Sequence, residues 1–265
     1  MTRKRLSVVV ITKNEEARIA RCLGSVSWAD ERILVDGYSS DRTTEIAQSL
    51  GAKIVLSRFN GSFDRERNQG IDAASGDWIL QLDADEIVTT GLRGAIEAIL
   101  AQDPPFSAYK FKRKNFFLGH AMRFGGWYHD SLHFFRKGRA RYQGRIHEAL
   151  IVDGPIGRLQ EEVEHTPFES LSQFLERHNR YSSLEAERIL EERGILPWKE
   201  VRYHLVWKPL KLFWKFYVKK QGFRDGWVGL LFSGLYAWVH FLNWAKYWEL
   251  VQVQSSGSMK GRSIS

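Results

Sequence analysis

The first hundred residues alternate short apolar runs with helical patterns, and nothing else in the chain constrains its fold as strongly. Leu6–Thr12 is continuous and valine-rich, which suits a strand buried on both faces. Residues 15–26 then place Ile19, Cys22, Leu23 and Val26 at helical spacing. Residues 32–35 predict a second strand ending at Asp36-Gly37, and residues 41–50 a second helix that Ser39 or Ser40 is placed to cap. Lys53–Leu56 reads as a third strand and residues 63–74 as a third helix. Residues 78–82 form a fourth strand that runs into Asp83-Ala84-Asp85-Glu86. Alternation at this pitch implies right-handed crossovers and a mostly parallel sheet with helices on both faces. Ligands of such sheets bind beyond the carboxyl ends of the strands.

Composition sets the outer bounds. With 265 residues, 43% of them hydrophobic and 26% charged, the chain holds one large domain or a domain with an appendage, and global disorder is excluded. The single cysteine, Cys22, excludes a disulfide framework and a cysteine-rich zinc site. The apolar run near the N-terminus is too short for the core of a signal peptide, so a cytosolic start is expected. Asn60-Gly61-Ser62 fits a glycosylation sequon but is expected to be a turn. The net charge of +8 is uneven: residues 105–145 carry +9 and residues 198–225 carry +6. Seven of the ten tryptophans lie in the last quarter with that second basic stretch.

Later segments read differently. Residues 109–152 show aromatic and basic runs broken by glycines, which predict short strands and loops. Residues 170–192 return to a helix, with Leu171, Phe174, Leu175, His178 and Tyr181 on one face, ended by Gly194 and Pro197. The expected organisation is a catalytic domain over 1–165, with a nucleotide-binding half (1–100) and an acceptor half (101–165). A helical extension (166–254) and a loose Ser- and Gly-containing tail (255–265) follow.

The DxD sequence Asp83-Ala84-Asp85 carries the strongest chemical signal. In extended chain, residues i and i+2 point the same way, so both carboxylates can meet at one point. Two hard oxygen ligands at a sheet mouth suit Mg²⁺ or Mn²⁺, which keep positions open for phosphate oxygens. A solvated polar turn is the competing reading of an isolated pair, and the strand-end position favours the metal. Thr12, Asn14 and Glu15, then Asp36, Ser39 and Asp41, supply short polar groups at the first two strand ends. Those are places for a base, a ribose and a pyrophosphate, although helix capping alone would account for some of them. Neither GxGxxG nor a Walker A lysine is present, which argues against a dinucleotide enzyme and a P-loop ATPase.

An ordered set of segments then identifies a resemblance. Val8-Val9-Val10-Ile11-Thr12-Lys13-Asn14-Glu15-Glu16, Val35-Asp36-Gly37-Tyr38-Ser39-Ser40-Asp41, Arg67-Asn68-Gln69-Gly70 and Leu82-Asp83-Ala84-Asp85-Glu86 resemble family 2 glycosyltransferases. Gly126-Trp127-Tyr128, Phe135-Arg136-Lys137-Gly138, Ile146-His147-Glu148 and Gly222-Phe223-Arg224-Asp225-Gly226 extend the likeness to the bacterial branch that includes lipopolysaccharide core β-glucosyltransferases. The resemblance implies a GT-A fold and inverting transfer of a hexose, glucose or a relative, from a nucleotide donor that is usually UDP-linked. It implies that Thr12, Asn14, Glu15, Asp36 and Arg67 hold the nucleotide, that Asp83 approaches the ribose or the metal, and that Asp85 binds the metal. A carboxylate must take the acceptor's proton from across the sugar. Glu148 is the first candidate and Asp130 the second, His129 standing where related sequences often carry proline. Trp127, Arg136, Arg145 and His147 are the expected acceptor contacts, with His147 equally open to a metal or packing role.

The basic runs at 110–114 and 136–145 suit a phosphate-rich acceptor, such as lipopolysaccharide inner core or a polyprenyl phosphate, or else form a solvated face. Lys208, Lys211, Lys215 and Lys219 make one helical stripe among Leu210, Phe213, Trp214 and Tyr217, the pattern of a helix lying on anionic lipid. Residues 226–245 carry no charge, a span-like length, but Gly229, Ser233, Gly234, His240 and Asn243 favour shallow or re-entrant burial. The expectation is a peripheral or monotopic, metal-dependent glycosyltransferase at the cytoplasmic face of a bacterial inner membrane, acting on a lipid-anchored acceptor and binding no nucleic acid. A sugar nucleotidyltransferase is the rival enzyme class, disfavoured by the lack of a glycine-rich basic loop after the first strand. A degenerate membrane scaffold is the non-enzymatic reading, which the intact acidic motif opposes.

Overall fold

The computed structural model describes residues 3–58, 63–144 and 149–260. Strands β1 (Leu6–Thr12), β2 (Glu31–Asp36), β3 (Lys53–Leu56) and β4 (Trp78–Asp83) lie in the order β3-β2-β1-β4, all parallel. The apolar runs of β1 and β2 are unbroken because both faces are covered. Val8, Val10, Leu34 and Leu80 enter one core with Ile19, Cys22 and Leu23, while Val9, Ile33, Val35 and Ile79 enter another with Ile71 and Ala74. Helices α1 (Ile19–Ser25), α2 (Thr43–Ser49) and α3 (Phe63–Ala73) connect the strands. α3 lies so close to the sheet that a Cβ on Gly70 would run into Val9 and Val35.

Two local expectations are corrected. α1 starts at Ile19 rather than 15, because the backbone N–H groups from Asn14 to Glu16 are bonded to Ser39 and Asp41 of the loop after β2 and to Thr43, the first residue of α2. Ser39 and Ser40 do not cap α2: Ser39 is bonded to Asp36 and Ser40 to Asn14, and Asp41 accepts from the Thr43 N–H instead.

β5 (Glu86–Val88), α4 (Thr90–Gln102), β6 (Ala108–Phe117), β7 (His120–Ala121), β8 (His129–Arg136), β9 (Ala140–Gln143), β10 (Ala149–Val152) and β11 (Ile156–Phe168) follow. They extend the sheet past β4 as β8-β6-β11-β5, with β4–β8, β6–β8 and β11–β5 antiparallel, while β9 and β10 form a separate two-stranded pair. Within the stretch expected to hold short strands and loops, β6 reaches 10 residues, and beyond that stretch β11 reaches 13.

By contacts, the chain forms two compact units. One comprises Met1–Lys114 and His129–Thr166, the other Asn115–Tyr128 and Pro167–Ser265. The second is helical: α5 (Leu171–Arg193), α6 (Trp198–Arg202), α7 (Lys208–Trp214) and α8 (Gly226–Lys260), with π-helical turns at Tyr203–Trp207 and Lys215–Lys219. α8 packs against α5 and α7. Ser170 caps α5 by accepting from Gln173 N–H, and Gly194 follows its last residue. The buried stripe of α5 is Phe174, Ser182, Ala186 and Ile189, whereas Leu171, Leu175 and Tyr181 of the expected face are exposed. The uncharged stretch 226–245 is one continuous helix without a re-entrant break, and α8 runs on into the expected loose tail. Among the described residues, no helix is long and apolar enough to cross a membrane.

Candidate active site

Parallel pairing puts the ends of β1, β2 and β4 on one edge, with Thr12 opposite Asp36 and Ile11 opposite Asp83. The loops beyond β1 and β2 then lock together. Asn14 N–H donates to Ser39 Oγ and Ser40 N–H to Asn14 Oδ1, both at 2.8 Å. Ser39 donates through its N–H and hydroxyl to the two oxygens of buried Asp36. Glu15 N–H donates to Thr43 Oγ1, and its carboxylate pairs with Arg18 at 2.9 Å. Asn14 and Tyr38 hold φ of 56° and 58°, a left-handed backbone uncommon outside glycine and concentrated at functional loops. Thr12 Oγ1, at the sheet mouth, is buried without a hydrogen-bond partner among the described residues, an uncommon state for a buried polar atom.

Beyond β4 the chain does not stay extended. Ala84 and Asp85 form a turn into β5, so the i, i+2 argument for two parallel carboxylates is replaced by a turn closed by Asp83 N–H donating to Glu86 Oε2 at 2.9 Å. Asp83 Oδ1 lies 3.2 Å from Arg67 and Oδ2 2.9 Å from Arg113, whose Nε is 2.8 Å from Glu86 Oε1. Burial by itself would raise the Asp83 pKa, but Arg67 and Arg113 together hold it well below the usual carboxylate range. Burial does win at Glu86, pushing it up against the pull of Arg113. Asp85 Oδ1 is buried, outside hydrogen-bond geometry, and 3.4 Å from His165 Nε2 on β11. Burial opposes ionisation of Asp85 too, and its neighbour His165 overcomes it.

Beside Arg67 sit Tyr142 and His133. The Arg67 guanidinium lies 5.2 Å from the Tyr142 ring centre, and Asn68 pairs with the Tyr142 backbone through both amide atoms. Tyr142 Oη is 3.3 Å from His133 Nδ1, and burial reinforced by Arg67 pushes that imidazole down to about 3, so it is neutral at pH 7.

The other expected site residues are distributed differently. Asp130, at the start of β8, holds Lys112 at 2.8 Å and Arg158 at 3.0 Å, and the Lys112 contact lowers its carboxyl. Arg136 pairs opposite Trp78, at the other end of β4 from Asp83. Its nitrogens bond Phe106 O, Pro104 O and Asp103, so it does not join the cluster. Trp127 lies in the second unit, packed 4.6 Å from Phe232. Arg145, His147 and Glu148 lie outside the described residues. The basic stretch expected to face a phosphate-rich acceptor is largely matched within the first unit: Lys114 pairs with Glu164, Arg139 with Asp153 and Arg141 with Asp72, besides Lys112 and Arg113.

Arg113 and His165 are the residues that pattern reading misses, yet both leave a trace. Arg113 is in phase with Tyr109, Phe111 and Phe117 on β6, and His165 with Val163 on β11, so each points with buried neighbours. Among the described residues, no group of three or more His, Cys, Asp or Glu side chains is placed to hold a metal. Asp85 and His165 fit a divalent ion as a two-donor pair that leaves the remaining positions to phosphate and water. Asp83, with both oxygens on arginines, is less open to one.

Comparison with known proteins meets this geometry at the strand-end loops. Residues 7–150 match the family model described as glycosyl transferase family 2, a segment that includes the loops after β1, β2 and β4. An uncharacterized glycosyltransferase of Rickettsia bellii is 30% identical, over 93% of this chain and 87% of its own. The lipopolysaccharide core biosynthesis glycosyltransferase LpsC of Rhizobium meliloti is 25% identical over 92% of each. Among solved structures, glucosyl-3-phosphoglycerate synthase of Mycobacterium tuberculosis, in complex with Mn²⁺, UDP and glucosyl-3-phosphoglycerate, is 24% identical with a TM-score of 0.37. That match covers 42% of this chain and 44% of that one. With its GT-A-type α/β sheet and the polar strand-end loops inside the matched segment, this chain belongs to glycosyltransferase family 2.

Proposed function

We propose that this enzyme transfers a hexose, glucose or a relative, from a UDP-linked donor to a lipid-linked acceptor, with inversion, at the cytoplasmic face of a bacterial inner membrane. The observation that carries the reading is the pair Asp85–His165 beside the arginine-held Asp83, on the same sheet edge as Thr12 and Asp36. Thr12, Asn14, Glu15, Asp36 and Ser39 form the nucleotide side, where the interlocked loops supply an orienting frame that costs no reorganisation on binding. Arg67 and Arg113 keep Asp83 ionised, so it accepts hydrogen bonds from ribose hydroxyls without competing for a proton. Asp85 and His165 would hold Mg²⁺ or Mn²⁺, which when bound neutralises charge developing on the departing diphosphate.

Glu148 is assigned as the base that takes the acceptor hydroxyl's proton, on the resemblance of Ile146-His147-Glu148 to the family pattern. Asp130 is the weaker candidate, since two cations on its carboxylate lower its basicity. Arg145, His147 and Trp127 are assigned to the acceptor. The lipid-linked acceptor is supported by the relative named for lipopolysaccharide core biosynthesis.

The test is UDP release from a panel of UDP-sugars with added Mn²⁺, alone and with lipopolysaccharide core acceptors. One donor should give release that chelation removes and that Asp85→Asn and His165→Ala each abolish. Glu148→Gln should lose transfer while donor binding stays near normal. Near wild-type turnover of Asp85→Asn would refute the metal assignment, and the same result for Glu148→Gln would refute the base.

A further inference from the structure

α8 buries one side and leaves another open. Phe232, Ser233, Ala237, Trp244 and Tyr247 are buried against its neighbours. Trp227, Leu231, Trp238, Phe241 and Trp248 are exposed, Trp227 by 83%. At 100° per residue these five fall within one stripe, with Gly234 and Ala245 filling the positions between them. A rise of about 1.5 Å per residue makes the stripe roughly 30 Å long. The preceding helical segment, packed on α8, presents a second open row: Trp207 at 59% exposure, Leu210 and Trp214. Continuous exposed apolar surface of this extent marks an interaction site.

Charge identifies the occupant. Between residues 201 and 245 the chain has seven basic residues and one acidic residue, Asp225. Asp225 is buried and accepts from the backbone N–H groups of Arg123 and Phe124. Lys211, Lys215, Lys219, Lys220 and Arg224 are exposed and form no ion pair with an acidic residue among the described residues. A second copy of the chain would bring like charges together, which costs affinity. Anionic lipid offers the opposite charge beside an apolar layer, and indoles are most at home at that boundary.

We propose that this face of the second unit docks on an anionic bilayer surface, with the α8 stripe and the Trp207–Leu210–Trp214 row in the headgroup layer and the lysines on lipid phosphates. α8 then lies along the membrane plane, as an apolar stripe backed by a packed protein face requires. The inference rests on the reading of the acceptor as lipid-linked and names the surface that brings the enzyme to it.

The experiment is co-sedimentation of the full chain with vesicles of phosphatidylcholine alone or mixed with phosphatidylglycerol, with no donor or acceptor present. The mixed vesicles should bind the protein, with a blue shift of indole fluorescence, and salt should weaken the binding. Combined Lys211→Glu, Lys215→Glu and Lys219→Glu should lower partitioning roughly tenfold or more. Trp227→Ser with Trp238→Ser should lower it too and reduce the blue shift. Both variants should keep wild-type donor hydrolysis in vesicle-free solution, so loss of docking is separable from loss of catalysis. Absence of vesicle binding, or equal binding to neutral vesicles by wild type and the lysine variant, overturns the proposal. A dimer in sedimentation equilibrium that the tryptophan variant dissociates would assign the stripe to a second copy, and selective capture of single-stranded DNA would assign the lysines to nucleic acid.

Discussion

Replacing Arg113 with methionine removes a guanidinium that serves two buried carboxylates at once while preserving much of the side chain's length. Asp83 keeps Arg67 at 3.2 Å, but Glu86, almost fully buried, loses the cation 2.8 Å from Oε1 and keeps only the Asp83 N–H on its other oxygen. Removing one partner of a buried pair costs about 3–5 kcal/mol, because the remaining charge stays out of water without compensation. Lys112, the preceding residue on β6, makes an ion pair with Asp130 that is about a quarter exposed on both sides, and Arg158 also serves that carboxylate. Lys112→Ala should therefore cost about 1 kcal/mol or less. Urea unfolding followed by far-UV circular dichroism, with m-values compared, measures both. Adding Glu86→Gln to Arg113→Met should recover part of the loss, because the stranded charge is gone. A loss below about 1 kcal/mol for Arg113→Met, or one equal to that of Lys112→Ala, would refute the argument that this guanidinium holds the turn carrying Asp85.

Two further outcomes follow from the helical unit. Gly229→Ala should destabilise it by at least about 1–3 kcal/mol, since a Cβ would collide with the Gly222 carbonyl, a backbone group that cannot rotate aside; unchanged thermal unfolding would show that the approach of α8 to residue 222 relaxes freely. His240 is pushed down to about 4 by burial, with His204 and Lys208 adding to it, and His204 Nδ1 is only 3.3 Å away. The unfolded chain therefore takes up a proton before the folded one, so the stability His240 contributes is intact above its ordinary 6.5 and falls as the pH drops toward about 4. Urea titrations across that window should show a shallower decline for His240→Leu than for wild type, and parallel curves would remove His240 as the cause.

How much of this was legible follows from the range of each signal. β1 occupies the residues its apolar run predicts, because burial on both faces demands an unbroken run that can be seen within a few positions; β3, an edge strand with no buried residue, matches through its short β-branched run alone. The starts of α1 and α2 were obscured because polar side chains that could cap a helix were bonded across to the neighbouring loop instead. The buried face of α5 is ambiguous in the sequence for a similar reason: Leu171, Leu175 and Tyr181 satisfy helical periodicity as well as the buried residues do. The apparent basic patch dissolved into ion pairs once β8, β11 and the β9–β10 pair brought carboxylates beside it.

Local sequence pattern carries the α/β alternation, the edge of the sheet where polar loops gather, the DxD signal and the basic, tryptophan-rich far end. These are local patterns, set by what each residue must bury or hydrate. Long-range packing is what brings Arg113 between Asp83 and Glu86, sets His165 rather than a loop residue beside Asp85, and leaves one stripe of α8 open. Each of those depends on which strand or helix lies next to which. A residue's own neighbourhood encodes the side it turns inward, whereas the group it meets there is chosen by strand order, here β11 beside β5 and β6 beside β8.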